Sequence, residues 1–406
     1  MKHMNIPFSP PDISEDDILA VTNVLRSGWI TTGPECKTFE KELSSQWMGG
    51  YRVAVMNSAT AAMEITLRML GVGSGDEVIT SVYTYAATIN VIRHVGATPI
   101  LVDVEVDGYN LSTEQVARAI TNRTKVIIPV DIGGYPCDYQ RLYQIVESKQ
   151  ALFTGLPRSR IFHHADRVVI LSDAAHSLGA KIGNDMSGSL ADFSAFSFHA
   201  VKNLTTAEGG ALSFTDLFGV STDVIYREVM LWALHGQDKD ALAKTQKGSW
   251  EYDILFSGYK CNMTDIAAAL GRSQLRRYQQ ILDRRRELYK RYRTALPEPL
   301  YMDSWDIEVE RQSSFHLAIM QMPGVREESR NQMLRAMAES GVTCNVHFKP
   351  IILLQAFYDL GYQQLDFPQA LKRYQESISL PIYTQMQDEQ QEYIIEKLCE
   401  NYKNSL

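Results

Sequence analysis

Arg167-Val-Val-Ile-Leu-Ser-Asp173-Ala-Ala-His176 and, further on, Phe193-Ser-Ala-Phe-Ser-Phe198-His-Ala-Val-Lys202 decide how this chain is read. Each opens with a short run that is apolar on both faces, as a strand covered by helices on each side must be, and each ends on groups that can carry charge. Similar runs lie to either side: Val53 to Met56, Glu77 to Ser81, Pro99 to Asp103, Lys125 to Val130 and Gly210 to Phe214, separated by amphipathic stretches. The alternation predicts an α/β fold with a mostly parallel sheet sandwiched by helices. Ahead of it, Pro11 to Arg26 predicts a helix, with Ser14-x-x-Asp17 as a capping-box start, Ile18, Val21 and Leu25 on one face, and Gly28 just past the end. After Asn262 one long helix is expected to lead into a smaller α/β unit. The division expected is therefore a large domain over 1–262, including the N-terminal helix, and a small C-terminal domain over 263–406. Residues 146–166, with Gly155, Pro157, Arg158 and Arg160, read as an insertion between a helix and the next strand.

Composition narrows the function classes. With 406 residues, 45% apolar and 22% charged, the chain is in the globular range, which excludes disordered and fibrous classes. No stretch approaches the roughly 20 apolar residues that span a bilayer, and the first residues carry no apolar signal core, so a cytoplasmic protein without membrane contact is expected. Cys36, Cys137, Cys261, Cys344 and Cys399 are scattered, with no C-x-x-C pair, so neither a disulfide framework nor a bound metal is expected. A net charge of −8 argues against a nucleic-acid partner. One basic run stands out, with Arg272, Arg276, Arg277, Arg284, Arg285, Arg286, Lys290, Arg291 and Arg293 facing only Asp283 and Glu287. Threaded with apolar residues at helical spacing, it reads as the solvated face of one long helix or, alternatively, as an anion-binding surface.

The ends of the apolar runs carry the candidate chemistry. Val53 to Met56 leads into Asn57-Ser-Ala-Thr60 and then a helical stretch, so Ser58 and Ala59 lie at a helix N-terminus, which suits a phosphate or simply caps the helix. Gly71-Val-Gly-Ser-Gly75 looks like a dinucleotide fingerprint but precedes a strand, the wrong context. Asp173 ends a buried run where open α/β sheets place ligands; it either caps the following turn or pairs with a cationic ligand. Lys202 is the basic residue directly after the Phe193 to Phe198 run. Held against an apolar wall, a lysine loses its proton near neutral pH and becomes a Schiff-base nucleophile; otherwise it is an ordinary loop lysine. Together an amine, an acid and an anion cradle match what pyridoxal phosphate needs for its aldehyde, ring nitrogen and phosphate. Thr84-Tyr85-Ala-Ala-Thr88 adds an aromatic ring, Tyr85, that could stack on the pyridine.

The joint order of several motifs carries a resemblance. Ser27-Gly-Trp-Ile-Thr-Thr-Gly-Pro34, Asn57-Ser-Ala-Thr-Ala-Ala62, Tyr83-Thr-Tyr85, Asp131-Ile-Gly-Gly-Tyr-Pro136, Asp173-Ala-Ala-His176, Ser197-Phe-His-Ala-Val-Lys202, Glu208-Gly-Gly210, Gly258-Tyr-Lys-Cys-Asn-Met-Thr-Asp265 and Val346-His-Phe-Lys-Pro350 together resemble the DegT/StrS sugar-nucleotide aminotransferases, fold-type I pyridoxal phosphate enzymes, over almost the whole chain. The resemblance implies that Lys202 binds the cofactor aldehyde and shuttles protons, that Asp173 partners the pyridine nitrogen, that His176 lies near the 3-hydroxyl and that Tyr85 covers the ring. It implies a phosphate site of Ser58, Ala59 and Ser197, and a homodimer with shared active sites. In the family a polar residue of the Gly-Tyr-Asn-Tyr-Arg-Met motif reaches the phosphate from the neighbouring subunit; this chain departs there, with Lys260 and Asn262 at the Asn and Arg positions.

The implied reaction is transamination in two halves. L-Glutamate gives its amino group to the cofactor, leaving pyridoxamine phosphate (PMP) and 2-oxoglutarate, and the pyridoxamine form aminates a ketone on a nucleotide-linked hexose for amino-sugar and polysaccharide synthesis. The substrate expected from relatives is a UDP-linked 4-keto-6-deoxy-N-acetylhexosamine aminated at C4. Thr31 is a candidate for binding it, and His316, His347, Lys349 and the basic helix are candidates for its diphosphate. Three alternatives stand beside it: a cyclitol or other ketone as acceptor, a PMP-dependent sugar dehydratase, whose relatives carry histidine at the lysine position, and a non-catalytic regulator of the same fold.

Overall fold

The computed structural model describes residues 4–238, 251–305 and 307–405. Seven strands form the main sheet: β1 (Arg52–Met56), β2 (Glu77–Ser81), β3 (Thr98–Val102), β4 (Thr124–Ile128), β5 (Val169–Asp173), β8 (Phe193–Ser197) and β9 (Gly210–Phe214). Their spatial order is β1-β9-β8-β5-β4-β2-β3, and all run parallel except β9, which is antiparallel to both neighbours. Buried residues such as Val126, Ile128, Val169, Leu171, Phe193 and Leu212 on one face, and Ile79, Ile127 and Ile170 on the other, belong to two separate clusters. Two helix layers therefore cover the sheet, which accounts for the runs without polar–apolar alternation. The strand beneath Asp173 spans Val169–Asp173, so Asp173 is its last residue, at the end of the buried run.

The first helix spans Glu15–Ser27 with the capping box Ser14/Asp17 formed and Gly28 in the left-handed region at φ 75°. The long helix expected after Asn262 is two helices, Asp265–Leu275 and Tyr278–Ala295, because Arg277 leaves helical geometry at φ −112°, ψ 10°. Its guanidinium is bound there by Asp12 (2.8 Å) and Asp17 (2.9 Å). Neither reading of the basic run holds as a whole, since most of its arginines are consumed inside the fold. Arg272 bonds Glu35 (2.6 Å) and Glu42 (2.7 Å), and Arg284 bonds Glu287 (2.8 Å) and Asp388 (2.9 Å). Arg291 bonds Asp388 (2.5 Å), and Arg285 is buried against backbone carbonyls.

A ribbon of β6 (Lys181–Ile182), β7 (Asp185–Met186) and β11 (Arg311–Gln312) links the layers. A second, antiparallel sheet, β10 (Tyr301–Met302), β12 (Ala318–Gln321) and β13 (Ser377–Leu380), packs with the helices Glu327–Glu339, Pro368–Glu376 and Asp388–Ser405. Its cluster extends through Ile319 and Ile378 to Val82, Tyr83 and Ile132, beyond the C-terminal ends of β2 and β4. The insertion over 146–166 lies at the opposite edge. Ser159 Oγ donates to the Met69 carbonyl (2.7 Å), Lys125 Nζ to that of Gly155 (2.9 Å), and Phe162 packs on Phe193 and Phe218. No described helix is long and apolar enough to cross a membrane.

Candidate active site

Parallel strands put their C-terminal ends on one edge of a sheet, and a reversed strand contributes its N-terminal end there. The residues following β1, β2, β5 and β8 and the start of β9 therefore meet. They line a cavity of about 370 Å³ whose wall includes Ser58, Ala59, Thr60, Tyr85, Asp173, His176, Ser197, Lys202, Glu208, His316 and His347.

Asp173 is buried, 5% exposed, and its charge has no arginine partner among the described residues. Thr88 Oγ1 donates to its Oδ2 (2.8 Å), and the Ala175 N–H donates to Oδ1 (3.3 Å). Thr88 is bonded in turn to Thr84 Oγ1 (2.8 Å), four residues back and just ahead of the helix. Burial raises the Asp173 carboxyl above its ordinary value, partly offset by Thr88, by the backbone and by the charge of Lys202. Lys202 moves the other way: desolvation in the pocket lowers its amine from 10.5 to about 8, with Asp173 acting against the shift. At neutral pH a sizeable minority of such amines are unprotonated, whereas an ordinary lysine has almost none.

The anion cradle is built by close approach. Ser58 caps the helix Ala59–Met69, its Oγ accepting from the Ala61 N–H (3.1 Å). The N–H groups of Ala59 and Thr60 have no acceptor among the described residues, as expected in a first turn. Gly210 of β9 lies directly beneath them: a Cβ there would come within 2.3 Å of the Ser58 carbonyl carbon and 2.4 Å of the Ala59 nitrogen. That contact explains why Glu208-Gly-Gly210 must end in glycine. Ser197, the last residue of β8 and the register partner of Gly210, completes this corner.

Tyr85 caps the helix Ala86–His94 over the cavity and is 65% exposed, its ring 6.1 Å from that of Phe348. His176 stacks on Phe348 (5.8 Å, 20°) and accepts at Nδ1 from the Gly133 N–H (3.3 Å). Burial, then the charge of Lys202, holds His176 well below the usual imidazole value; His347 falls to about 4 for the same reasons. Burial, then the charges of His176 and Lys202, lowers His316 well below the usual imidazole value, and Arg285 donates to the carbonyls of Phe315 and His316. His316 and His347 thus line the pocket as buried rings of lowered basicity.

Four other expected residues are outside this wall. Lys349 is exposed away from it. Lys260 bonds Asn262, Asn262 bonds Thr32, and Thr31 offers its carbonyl to Asp265 N (3.1 Å). The three residues Thr31, Lys260 and Asn262 form a cluster of their own, against the edge of β1 through the Met56–Asn262 bridge. Sequence reading missed Thr88, Gly133 and Asn203 as supports of the site. The first had a signal, the four-residue spacing of Thr84 and Thr88.

These residues fit pyridoxal phosphate: an amine of lowered basicity for its aldehyde, a buried carboxylate for its ring nitrogen, and unpaired helix N–H groups for its phosphate. Comparison with known proteins agrees. The profile of the DegT/DnrJ/EryC1/StrS aminotransferase family matches residues 11–155 and 156–399. The spore coat polysaccharide biosynthesis protein SpsC of Bacillus subtilis is 34% identical over 405 residues, 98% of each chain. Spr1654 of Streptococcus pneumoniae, assigned as a sugar aminotransferase and solved in a PMP form, superposes with a TM-score of 0.94 at 45% identity, covering 99% of this chain and 100% of that one. PseC of Helicobacter pylori, an aminotransferase involved in the biosynthesis of pseudoaminic acid, gives a TM-score of 0.85 at 25% identity, over 99% and 100%. The chain is a pyridoxal phosphate-dependent aminotransferase and belongs to the DegT/DnrJ/EryC1/StrS aminotransferase family.

Proposed function

We propose that this sugar aminotransferase acts on a nucleotide-linked ketosugar, with L-glutamate as amino donor, and that a UDP-linked 4-keto-6-deoxy-N-acetylhexosamine aminated at C4 is the acceptor. The observation that carries the reading is the pairing of Lys202, with its lowered amine, and the buried Asp173 in one cavity. The likeness to SpsC supports a role in polysaccharide synthesis.

When bound, the cofactor supplies an aldehyde for the incoming amine and an electron sink for the carbon that loses its proton. In this reading Lys202 holds the aldehyde at rest and afterwards moves a proton at its Nζ, a task that needs an amine able to exist in both forms near neutral pH. Asp173, with Thr88 fixing one oxygen, keeps the proton on the ring nitrogen. Tyr85 would lie over the ring, and His176 would lie near the 3-hydroxyl. Ser58, Ala59 and Ser197 bind the phosphate. Lys260 and Asn262, outside their own chain's pocket wall, serve the pocket of a second copy in a homodimer, and Thr31 and Lys349 contact the substrate. The division into domains over 1–262 and 263–406 and a cytoplasmic location are part of the same reading.

Purified protein carrying pyridoxal phosphate absorbs in the visible range, and glutamate bleaches it. UDP-, dTDP- and GDP-linked ketosugars are then tested for restoring the absorption. Restoration by the UDP-linked 4-ketosugar supports the proposal. Restoration by a cyclitol ketone and by none of the nucleotide sugars overturns it.

A further inference from the structure

Two imidazoles stand side by side in the pocket wall, His176 and His316, with ring centroids 4.3 Å apart. Their Nδ1 atoms are engaged in opposite senses. The Gly133 N–H donates to His176 Nδ1 (3.3 Å), so that nitrogen carries the lone pair and the proton of the neutral ring is on Nε2. His316 Nδ1 meets Asn203 Oδ1 at 3.1 Å. Which end of the Asn203 amide faces the ring follows from its other bond: its NH₂ donates to the Ser314 carbonyl (2.8 Å), an oxygen that can only accept. The amide oxygen therefore faces His316, which must carry its proton on Nδ1 and its lone pair on Nε2. Neither Nε2 bonds another group among the described residues.

The segment bearing His316 is held from several sides. The N–H groups of Ser314 and His316 donate to the carbonyls of Gly134 and Gly133, both at 3.0 Å. Arg285, 3% exposed, donates to the carbonyls of Phe315 (2.9 Å) and His316 (2.6 Å). With the backbone fixed, the ring's remaining freedom is its tautomer, and Asn203 removes it.

We propose that Asn203, the residue after Lys202, is a positioning residue that fixes His316 in the tautomer opposite to that of His176. The pocket then presents an imidazole N–H beside an imidazole lone pair, and the lone pair on His316 Nε2 receives a hydrogen bond from a hydroxyl of the sugar. A neutral acceptor suits a hydroxyl and offers nothing to the carboxylates of an amino-acid donor. The sugar contact rests on the ketosugar reading above; the tautomer assignment does not.

Neutron diffraction from the holoenzyme tests the tautomers directly. Deuterium on His316 Nδ1 and on His176 Nε2 is expected, and the same or reversed placement on the two rings overturns the assignment whatever the substrate proves to be. Steady-state kinetics of Asn203→Leu test the contact: KM for the ketosugar rises roughly five- to ten-fold, the effect of losing one hydrogen bond, with KM for glutamate changed by less than about two-fold. An unchanged KM for the sugar, or an equal rise for both substrates, overturns the contact. Should the leucine variant not fold, the neutron measurement on the unaltered protein still decides the tautomers on which the contact depends.

Discussion

The two edges of the main sheet handle buried charge in opposite ways. At the N-terminal edge four buried carboxylates each have an arginine. Asp192 is gripped by both arms of Arg167 at 2.8 Å, Glu77 by Arg123 at 2.5 Å, Glu228 by Arg160 at 3.2 Å, and Asp76 by Arg158 of the insertion. At the C-terminal edge Asp173 has a threonine, a backbone N–H and an amine that burial pushes toward its neutral form. Paired charges stabilise a fold but have nothing left to offer a ligand. The unpaired acid and lysine cost stability and keep their chemistry available.

The sharpest break of this contrast is at Lys202. Lys202→Ala should lower kcat by about a thousand-fold or more and abolish the visible absorption of the bound cofactor, while the melting temperature holds or rises, because a desolvated amine has been removed. Activity within a few-fold of the native rate would end the assignment. The converse break is Arg167→Met, which leaves Asp192 buried beside only Tyr143 and the Ile170 N–H. Urea unfolding should show a loss of about 3 kcal/mol, with cofactor absorption per folded molecule unchanged. Thr88→Val removes one donor from Asp173 and should cost roughly ten-fold in kcat with little change in stability. Last is a shift along the pH axis alone. Lys202 binds its proton less tightly folded than unfolded, so the rate at which the cofactor-free protein captures pyridoxal phosphate should rise through pH about 8 and then level. A rise continuing toward the ordinary lysine value of 10.5 would show the amine unperturbed.

How much of this was legible in the sequence follows the same division. Asp173 and Lys202 could be found because each ends an apolar run, and strand direction then fixes the edge it reaches. The Ser14/Asp17 cap and Gly28 were readable because capping is local. The fate of the basic run was not, because Arg272 finds Glu35 and Glu42, and Arg277 finds Asp12 and Asp17, across more than 200 positions. No periodicity encodes such partners. The stretch 146–166 stood out in the sequence by Gly155, Pro157, Arg158 and Arg160, yet its seat against Met69 and Gly155's tie to Lys125 depend on folded geometry. The lowered basicity of His316 and His347 was hidden likewise, since burial and not residue type sets it.

The reversal of β9 has a consequence for how the site assembles. Because Ser197 and Gly210 pair directly across antiparallel strands, residues 198–209 close a hairpin, and Lys202 rides in its loop. Its floor is thus set by the most local pairing in the sheet, whereas β1 joins β9 across more than 150 positions. Closing a short loop costs little chain entropy, so the lysine, its neighbour Asn203 and the glycine under the cradle can reach mutual register before the long-range strands arrive. The reactive amine thus rests on local pairing, whereas the cradle reaches it only through a long-range strand.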